Sequence, residues 1–328
     1  MQSYWMQTTH GQTELELREV PRPEPGPGQI LVRVRAAGLN RGELIAGHGL
    51  QAKGGAAKAM GMEAAGEVVA CGSGVTGFAA GMRVMGRCPG AFAEFALIEQ
   101  REAMRIPEGI SWETAASVPL TFLVVYDMLV QQGQLKRDQW VLITGVSSGV
   151  GVASLLMAKA LGAKLIGTSG SQAKLERLRA LGLDLGLNTR SADFAQTVMQ
   201  TTGDKGVNLV VNTVGGSVFA ECVRCMAFEG RLATVGYVDG VLKAEIDIEA
   251  LHAKRLTLFG VSNKLRTGVQ RAQGVPGFMA EILPMIADGR IKPVVDRVFA
   301  FEQLAQAKAF MEANQHLGKI VVSEARHA

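Results

Sequence analysis

The hydrophobic pattern changes period once along the chain. In the first third, short apolar stretches are broken by Gly and Pro. Leu15–Val20, which alternates apolar and charged residues, reads as a strand, and so do Ile30–Ala36, Glu67–Ala70, Arg83–Met85 and Phe92–Ile98. Residues 21–28 (PRPEPGPG) read as a rigid turn, because Pro fixes φ and Gly reaches positive φ. Many short strands with frequent turn signals point to a barrel-like β domain. Ala52–Met60, rich in Gly, Ala and Lys, reads as a mobile segment.

From Trp140 onward, strand-length apolar runs alternate with helical spacing. Trp140–Thr144 is a compact apolar run, Gly145–Gly151 follows, and Val152–Leu161 carries a helical pattern closed by Gly162. Lys164–Thr168 and a charged helix over Ala173–Leu181 repeat the unit. Val207–Thr213, Arg231–Gly236 and Leu256–Val261 are further apolar strands, with helical segments between them. Apolar strands alternating with helices predict an α/β fold, with a doubly wound parallel sheet covered on both faces. A helix near Gly277–Ala287, the run Ile291–Ala300 and a helix over Phe301–Ala313 complete this part. Gly318–Val322 reads as a closing strand that returns to the first domain.

Composition narrows the class. A chain of 328 residues suggests about two domains. With 48% apolar and 20% charged residues it has the make-up of a folded protein. Phe122–Tyr126, among the longest apolar runs, is far short of a membrane span, and the first residues lack the pattern of a secretory signal. Net charge is +4 with the signs interspersed, which argues against nucleic acid or a membrane surface as the main partner. Four Cys cannot frame a chain this long with disulfides, so a reducing, cytoplasmic setting is expected.

The most informative stretch is Trp140–Gly151 (WVLITGVSSGVG), a strand, a glycine turn and a helix start. A dinucleotide pyrophosphate sits on such a helix N-terminus, held by free N–H groups and the helix dipole. Ser147, Ser148, Gly149 and Val150 are the residues placed to hold it. Val146 and Ser148 occupy two of the glycine places of the usual motif, and a plain strand–helix turn is the alternative reading. After the second strand, an NAD site commonly carries Asp or Glu on the ribose hydroxyls. Here that place holds Ser169, followed by Ser171 and Lys174, with Arg177 and Arg190 as outer charges. A carboxylate would repel a 2′-phosphate, whereas hydroxyls and cations bind it, so NADPH is expected over NADH. Lys174 can alternatively be a solvated helix residue. Val214, Gly236, Tyr237, Phe259 and Val261 follow strand ends and are expected to line the cofactor groove.

Six ordered segments carry a family resemblance: Ala37–Arg41, Gly61–Val69, Gly145–Gly151, Asn212–Gly216, Gly230–Gly236 and Gly318–Val321. Together they resemble the zinc-free NADPH:quinone oxidoreductase (zeta-crystallin-like) branch of the medium-chain dehydrogenase/reductase superfamily, over nearly the whole chain. The resemblance implies a GroES-like β-barrel catalytic domain over residues 1–121, completed by 292–328. It also implies a Rossmann NADPH-binding domain over 122–291, a cofactor cleft between the two, and a homodimer formed through Rossmann edge strands. Asn314, just before the closing strand, is expected to reach that cleft.

Zinc-dependent relatives carry Cys where this chain has Asn40 and His where it has Met62. Asn and Met are poor zinc ligands, Glu63 cannot hold a catalytic site alone, and the four-Cys structural lobe is missing, so no metal is expected. Cys222 and Cys225 read as buried helix residues, and His48, between two Gly, as a loop residue. Without a Lewis acid, hydride delivery to a quinone or to the β-carbon of an enone is the expected chemistry. Asn40 is the candidate for positioning the nicotinamide or polarising the acceptor oxygen, with a turn residue as its alternative. Thr121 resembles the position near the carboxamide, with a helix cap as its alternative.

Two departures from the family bear on the proton donor and substrate. The Tyr common in relatives is missing from Gly47–Gln51, and Thr189 stands where many have a Tyr. Lys264, Arg266 and Arg271 could meet an anionic substrate tail or form a solvated loop. An enoyl-thioester reductase and an NADPH-binding sensor with little turnover stay open beside the quinone reading.

Overall fold

The computed structural model describes residues 1–9, 12–44 and 55–324. The chain divides into two compact units. Unit 1 comprises Met1–Thr121, Val275–Met279 and Pro293–Ala328; unit 2 comprises Phe122–Gly274 and Ala280–Lys292.

Unit 1 is mainly β. Its strands are β1 (Gln2–Thr9), β2 (Gln12–Glu19), β3 (Gln29–Gly38), β4 (Gly55–Ala59), β5 (Glu63–Cys71), β6 (Arg83–Arg87), β7 (Phe95–Glu99) and β8 (Ala103–Arg105), joined near the C-terminus by β15 (Val295–Ala300) and β16 (Lys319–Ser323). A three-stranded sheet runs β2-β1-β4, and a seven-stranded sheet runs β15-β16-β3-β5-β6-β8 with β7 also on β3. Among the described residues up to 126, three short α-helices are α1 (Arg41–Leu44), α2 (Trp112–Ala116) and α3 (Pro119–Tyr126), the last of which crosses the unit boundary. The core gathers Ile30, Val32, Leu39, Phe92, Ile98, Met311 and Ile320.

Strand β3 organises the sheet. Its first half pairs β7, its end pairs β16, and β5 runs along its other edge, all antiparallel. The closing strand β16 therefore pairs a strand near the start of the chain. The expectation of a mobile Ala52–Met60 is corrected for residues 55–59, which pair β1 as β4; residues 52–54 lie outside the described residues. β1 itself has no sequence signal, because polar Gln, Ser and Thr fill most of its positions.

Unit 2 alternates strictly between strand and helix. It runs β9 (Trp140–Thr144), α4 (Gly149–Ala160), β10 (Lys164–Ser169), α5 (Gln172–Ala180), β11 (Leu185–Asn188), α6 (Ala195–Thr201), β12 (Val207–Asn212), α7 (Phe219–Arg224), β13 (Met226–Thr234), α8 (Ile248–Ala253) and β14 (Thr257–Gly260). The sheet order β11-β10-β9-β12-β13-β14 is wholly parallel and reverses direction between β9 and β12. That is the doubly wound order, with its switch point after β9. The central strands are buried along nearly their whole length, as a sheet covered on both faces requires.

Helices α9 (Gly268–Ala272), α10 (Val275–Glu281), α11 (Leu283–Ala287) and α12 (Leu304–Glu312) follow. The single helix expected over Gly277–Ala287 is thus two. Pro284, in the first turn of α11, lacks the N–H and the room for a continuous helix.

Candidate functional site

The switch point is built from buried hydrogen bonds. Thr144, Asn212, Thr234 and Gly260 stand in register at the ends of β9, β12, β13 and β14. Asn212, fully buried, accepts from the Thr144 hydroxyl (3.1 Å) and from the N–H groups of Val214 and Gly215 (3.1 Å each). Its amide donates to the Gly215 carbonyl at 2.9 Å, and the Thr213 hydroxyl donates to the Thr144 carbonyl at 2.7 Å. Gly145, at φ +63°, begins the next turn, and a Cβ there would fall 2.5 Å from Thr213 Oγ1. The motif around Asn212 is legible in the sequence, but this role is not; a polar residue ending an apolar strand is the available signal.

The turn after β9 leads into α4 through Ser148, whose Oγ accepts the Gly151 N–H at 3.0 Å as the N-cap. The helix begins at Gly149, three residues before the sequence pattern places it. Gly149 and Val150 are therefore its first two residues, whose N–H groups have no intrahelical partner.

The neighbouring corner collects the residues expected to read the ribose. Ser147 Oγ lies 3.4 Å from Ser169 Oγ at the end of β10, and Ser169 also accepts the Ser171 N–H at 3.3 Å. Ser171 caps α5 by accepting the Lys174 N–H at 3.4 Å, which places Lys174 on the first helical turn. Arg190, two residues past β11, lies across Gly170, where a Cβ would fall 1.9 Å from its Nε. Thr189 turns away and donates to Asp193 at 2.7 Å. The corner thus offers hydroxyls, a helix N-terminus and a guanidinium, and the carboxylate named beside it, Asp193, is bonded by Thr189.

The other expected groove residues are placed unevenly. Val214, Gly236 and Val261 follow the ends of β12, β13 and β14. Phe259 lies inside β14 rather than after it, paired with Ala233. Tyr237 is 43% exposed. Arg266 donates to the Gln270 carbonyl and lies 3.9 Å from Asp127, and Arg271 donates to the Arg266 carbonyl at 2.6 Å. These two arginines are tied into their own loop, which removes the main support for a substrate-tail role.

In unit 1, Asn40 sits in a buried ionic ring. Lys319 Nζ donates to Glu63 Oε1 (2.6 Å), Asn40 Oδ1 (2.8 Å) and the Leu39 carbonyl (2.9 Å). Asn40 Nδ2 donates to Glu43 Oε1 (3.0 Å) and Glu63 Oε1 (2.9 Å), and the Asn40 N–H also reaches Glu43 (3.0 Å). Both amide hydrogens of Asn40 are committed to carboxyl oxygens of Glu43 and Glu63. The expectation that Asn40 polarises an acceptor oxygen is corrected on this ground, because it has no donor left to offer. The remaining capacity of its side chain is the second lone pair of Oδ1.

Glu63 is fully buried, and its other oxygen accepts the Leu120 N–H at 2.8 Å, capping the start of α3 one residue before Thr121. Gly38 makes room for it, since a Cβ there would fall 2.6 Å from Glu63 Oε1. Glu43 is 2% exposed; burial above all, and the nearby Glu63 charge, hold its carboxyl up at about 8. Arg41 donates to the Met311 carbonyl at 2.8 Å and to Asn314. Asn314, at φ +55° beyond the end of α12, holds Arg41 and the Glu312 carbonyl. Asn314 thus stands as a left-handed residue capping the end of α12.

Zinc does not fit this ring. Glu63, the one strong ligand type retained at the zinc positions, already accepts an ammonium, an amide and a backbone N–H, and Asn40 and Met62 supply no replacement. No group of three His, Cys, Asp or Glu among the described residues has metal-holding geometry. Cys222 and Cys225 are free and buried, and burial pushes the Cys225 thiol up to about 12. His48 and the Gly47–Gln51 stretch lie outside the described residues. No described helix is long and apolar enough to cross a membrane.

Comparison with known proteins agrees with this architecture. The alcohol dehydrogenase GroES-like domain family matches residues 26–108, and the zinc-binding dehydrogenase family matches 149–272. A phenolphthiocerol/phthiocerol polyketide synthase polypeptide from Mycobacterium tuberculosis is 32% identical over 95% of this chain, which spans 14% of that protein's length. Among solved structures, mycobacterial Rv1454c complexed with NADPH superposes with a TM-score of 0.86 at 26% identity, covering 98% of this chain and 100% of that one. Escherichia coli quinone oxidoreductase complexed with NADPH gives 0.83 at 26% identity, with the same coverage. With the doubly wound sheet, the β-rich unit and both family matches in one chain, the protein belongs to the medium-chain dehydrogenase/reductase superfamily.

Proposed function

We propose that the protein is a zinc-independent reductase that delivers hydride from NADPH to a quinone or a similar electron-poor conjugated carbonyl. The observation that carries this reading is the buried Lys319–Glu63–Asn40 ring, which uses the Glu63 carboxylate internally. With no Lewis acid to activate an alcohol or a plain ketone, the acceptor must be electron-poor already.

Bound NADPH supplies the hydride. The chain's own part is to bind, orient and exclude water. The α4 N-terminus at Gly149 and Val150, with Ser147 and Ser148, would hold the pyrophosphate. Ser169, Ser171, Lys174 and Arg190 would hold the 2′-phosphate. The NADPH complexes of the two structural relatives support the same cofactor. Thr121 and the Oδ1 face of Asn40 are the unit 1 groups assigned to the reacting end.

A second reading, reduction of an enoyl thioester, is favoured by the polyketide synthase match over 95% of this chain. A homodimer is part of the proposal. β14 is a sheet edge, and Val238, Leu242 and Ile248 between β13 and β14 are exposed. Four free cysteines support a reducing, cytoplasmic setting.

The test is NADPH oxidation with a para-quinone and with a crotonyl thioester in parallel, each with and without EDTA. Turnover of the quinone supports the first reading, and turnover of the thioester alone transfers it to the second. NADPH binding without turnover of either overturns both in favour of a sensor. Turnover abolished by EDTA overturns zinc independence.

A further inference from the structure

We infer that Lys319 is a positioning residue of the reductase site, whose ammonium fixes the Asn40 amide with its oxygen as the acceptor face offered to a bound ligand. The inference rests on the reductase reading above and assigns a role inside it.

Charge on both sides of a single amide decides its orientation. Asn40 Oδ1 faces an ammonium at 2.8 Å, and its Nδ2 faces the Glu63 carboxylate at 2.9 Å and the Glu43 carboxyl at 3.0 Å. Turning the amide over would set its oxygen against the Glu63 carboxylate and its NH2 against the Lys319 ammonium, so both charged contacts would become repulsive. In a buried setting such charge-assisted contacts count for more than in water. Lys319 is 5% exposed and Glu63 fully buried. All three ammonium hydrogens are in use, on Leu39, Asn40 and Glu63. Arg41 pins the next residue to the end of α12. The loop is therefore held from both sides, and the one polar valence of the Asn40 side chain left outside the ring is an acceptor. Whatever group of cofactor or substrate meets it is a hydrogen-bond donor. A planar guanidinium cannot reproduce three tetrahedral donors on these three acceptors.

The test uses the full-length protein. Lys319→Ala is expected to lower kcat about 10-fold or more, with the NADPH Kd within about threefold of wild type. Methylammonium, added as a replacement for the lost group, is expected to restore kcat several-fold. Hydrogen exchange of amides 39–44 gives a readout independent of turnover: faster in Lys319→Ala and slowed again by methylammonium. Because Lys319→Ala leaves Glu63 as a buried unpaired charge and can fail to fold, Glu63→Gln/Lys319→Met removes both charges together. That double variant is expected to fold and to remain slow. Wild-type kcat in the double variant overturns the inference. So does unchanged exchange of 39–44 in folded Lys319→Ala, or failure of methylammonium to restore either readout. If the wild-type protein reduces no acceptor, the reductase reading fails, while the exchange arm still decides whether the ammonium holds Asn40.

Discussion

The hydroxyls of Ser147 and Ser169 lie 3.4 Å apart and join the turn after β9 to the end of β10. Both are small and neutral, and Ser169 stands where an NAD-preferring site would carry a carboxylate. Ser169→Asp therefore places a negative charge beside the space assigned to the 2′-phosphate. The expected outcome is a loss of NADPH affinity of about 100-fold, with NADH changed by less than about threefold. Fluorescence titration of both cofactors measures it. Equal losses for the two would place the phosphate elsewhere.

Arg190 is the next contributor to that corner. Its guanidinium lies over Gly170, and among the described residues no carboxylate pairs with it. Arg190→Ala should weaken NADPH about 10- to 100-fold, the size of one charge-assisted contact. The effect should shrink as salt is raised, because the residue is exposed. An affinity for NADPH that is the same in variant and wild type at low salt would make Arg190 a bystander.

The switch point makes a prediction about stability. Asn212 ties β12 to β9 through Thr144 and closes the following turn on Gly215. Asn212→Ala leaves the buried Gly215 N–H, the partly buried Val214 N–H and a carbonyl without their partner, a cost of about 2–4 kcal/mol. Urea unfolding is the measurement, and a loss below about 1 kcal/mol would mean that water replaces the amide.

How far the sequence could be read depended on distance along the chain. Five of the six unit 2 strands were legible because each is an apolar run, a local signal; β11, four residues that include a Gly and an Asn, carries no such run and was missed. Ser169 and Ser171 could be singled out from the sequence because residue type alone separates a hydroxyl from a carboxylate at that place. The ring around Asn40 was not, since Lys319 and Glu63 are separated by 256 positions. Without knowing that Glu63 reaches Asn40, one reads the amide as free to donate. β1 and β4 were missed for another reason: polar and small residues fill them, and only pairing with a neighbour makes them strands.

Glu43 should make the protein less stable as pH rises, and the sign follows from its burial. In the folded chain its carboxyl is held up at about 8, mainly by burial, against an ordinary value of 4.5. Between those values the folded state keeps a proton that the unfolded state has released. Raising the pH then favours unfolding, by up to about 1.4 kcal/mol per pH unit for this one group. Stability from this source is complete below about 4.5 and is lost as the pH climbs through about 8. Glu43→Gln keeps an oxygen for the Asn40 N–H and Nδ2 and cannot titrate. Relative to wild type, it should gain roughly 2–3 kcal/mol between pH 5.5 and 7.5, read from urea unfolding at each pH. Parallel pH profiles for the two proteins would mean that Glu43 is ionised in the fold. The ring would then carry two carboxylates against the single ammonium of Lys319.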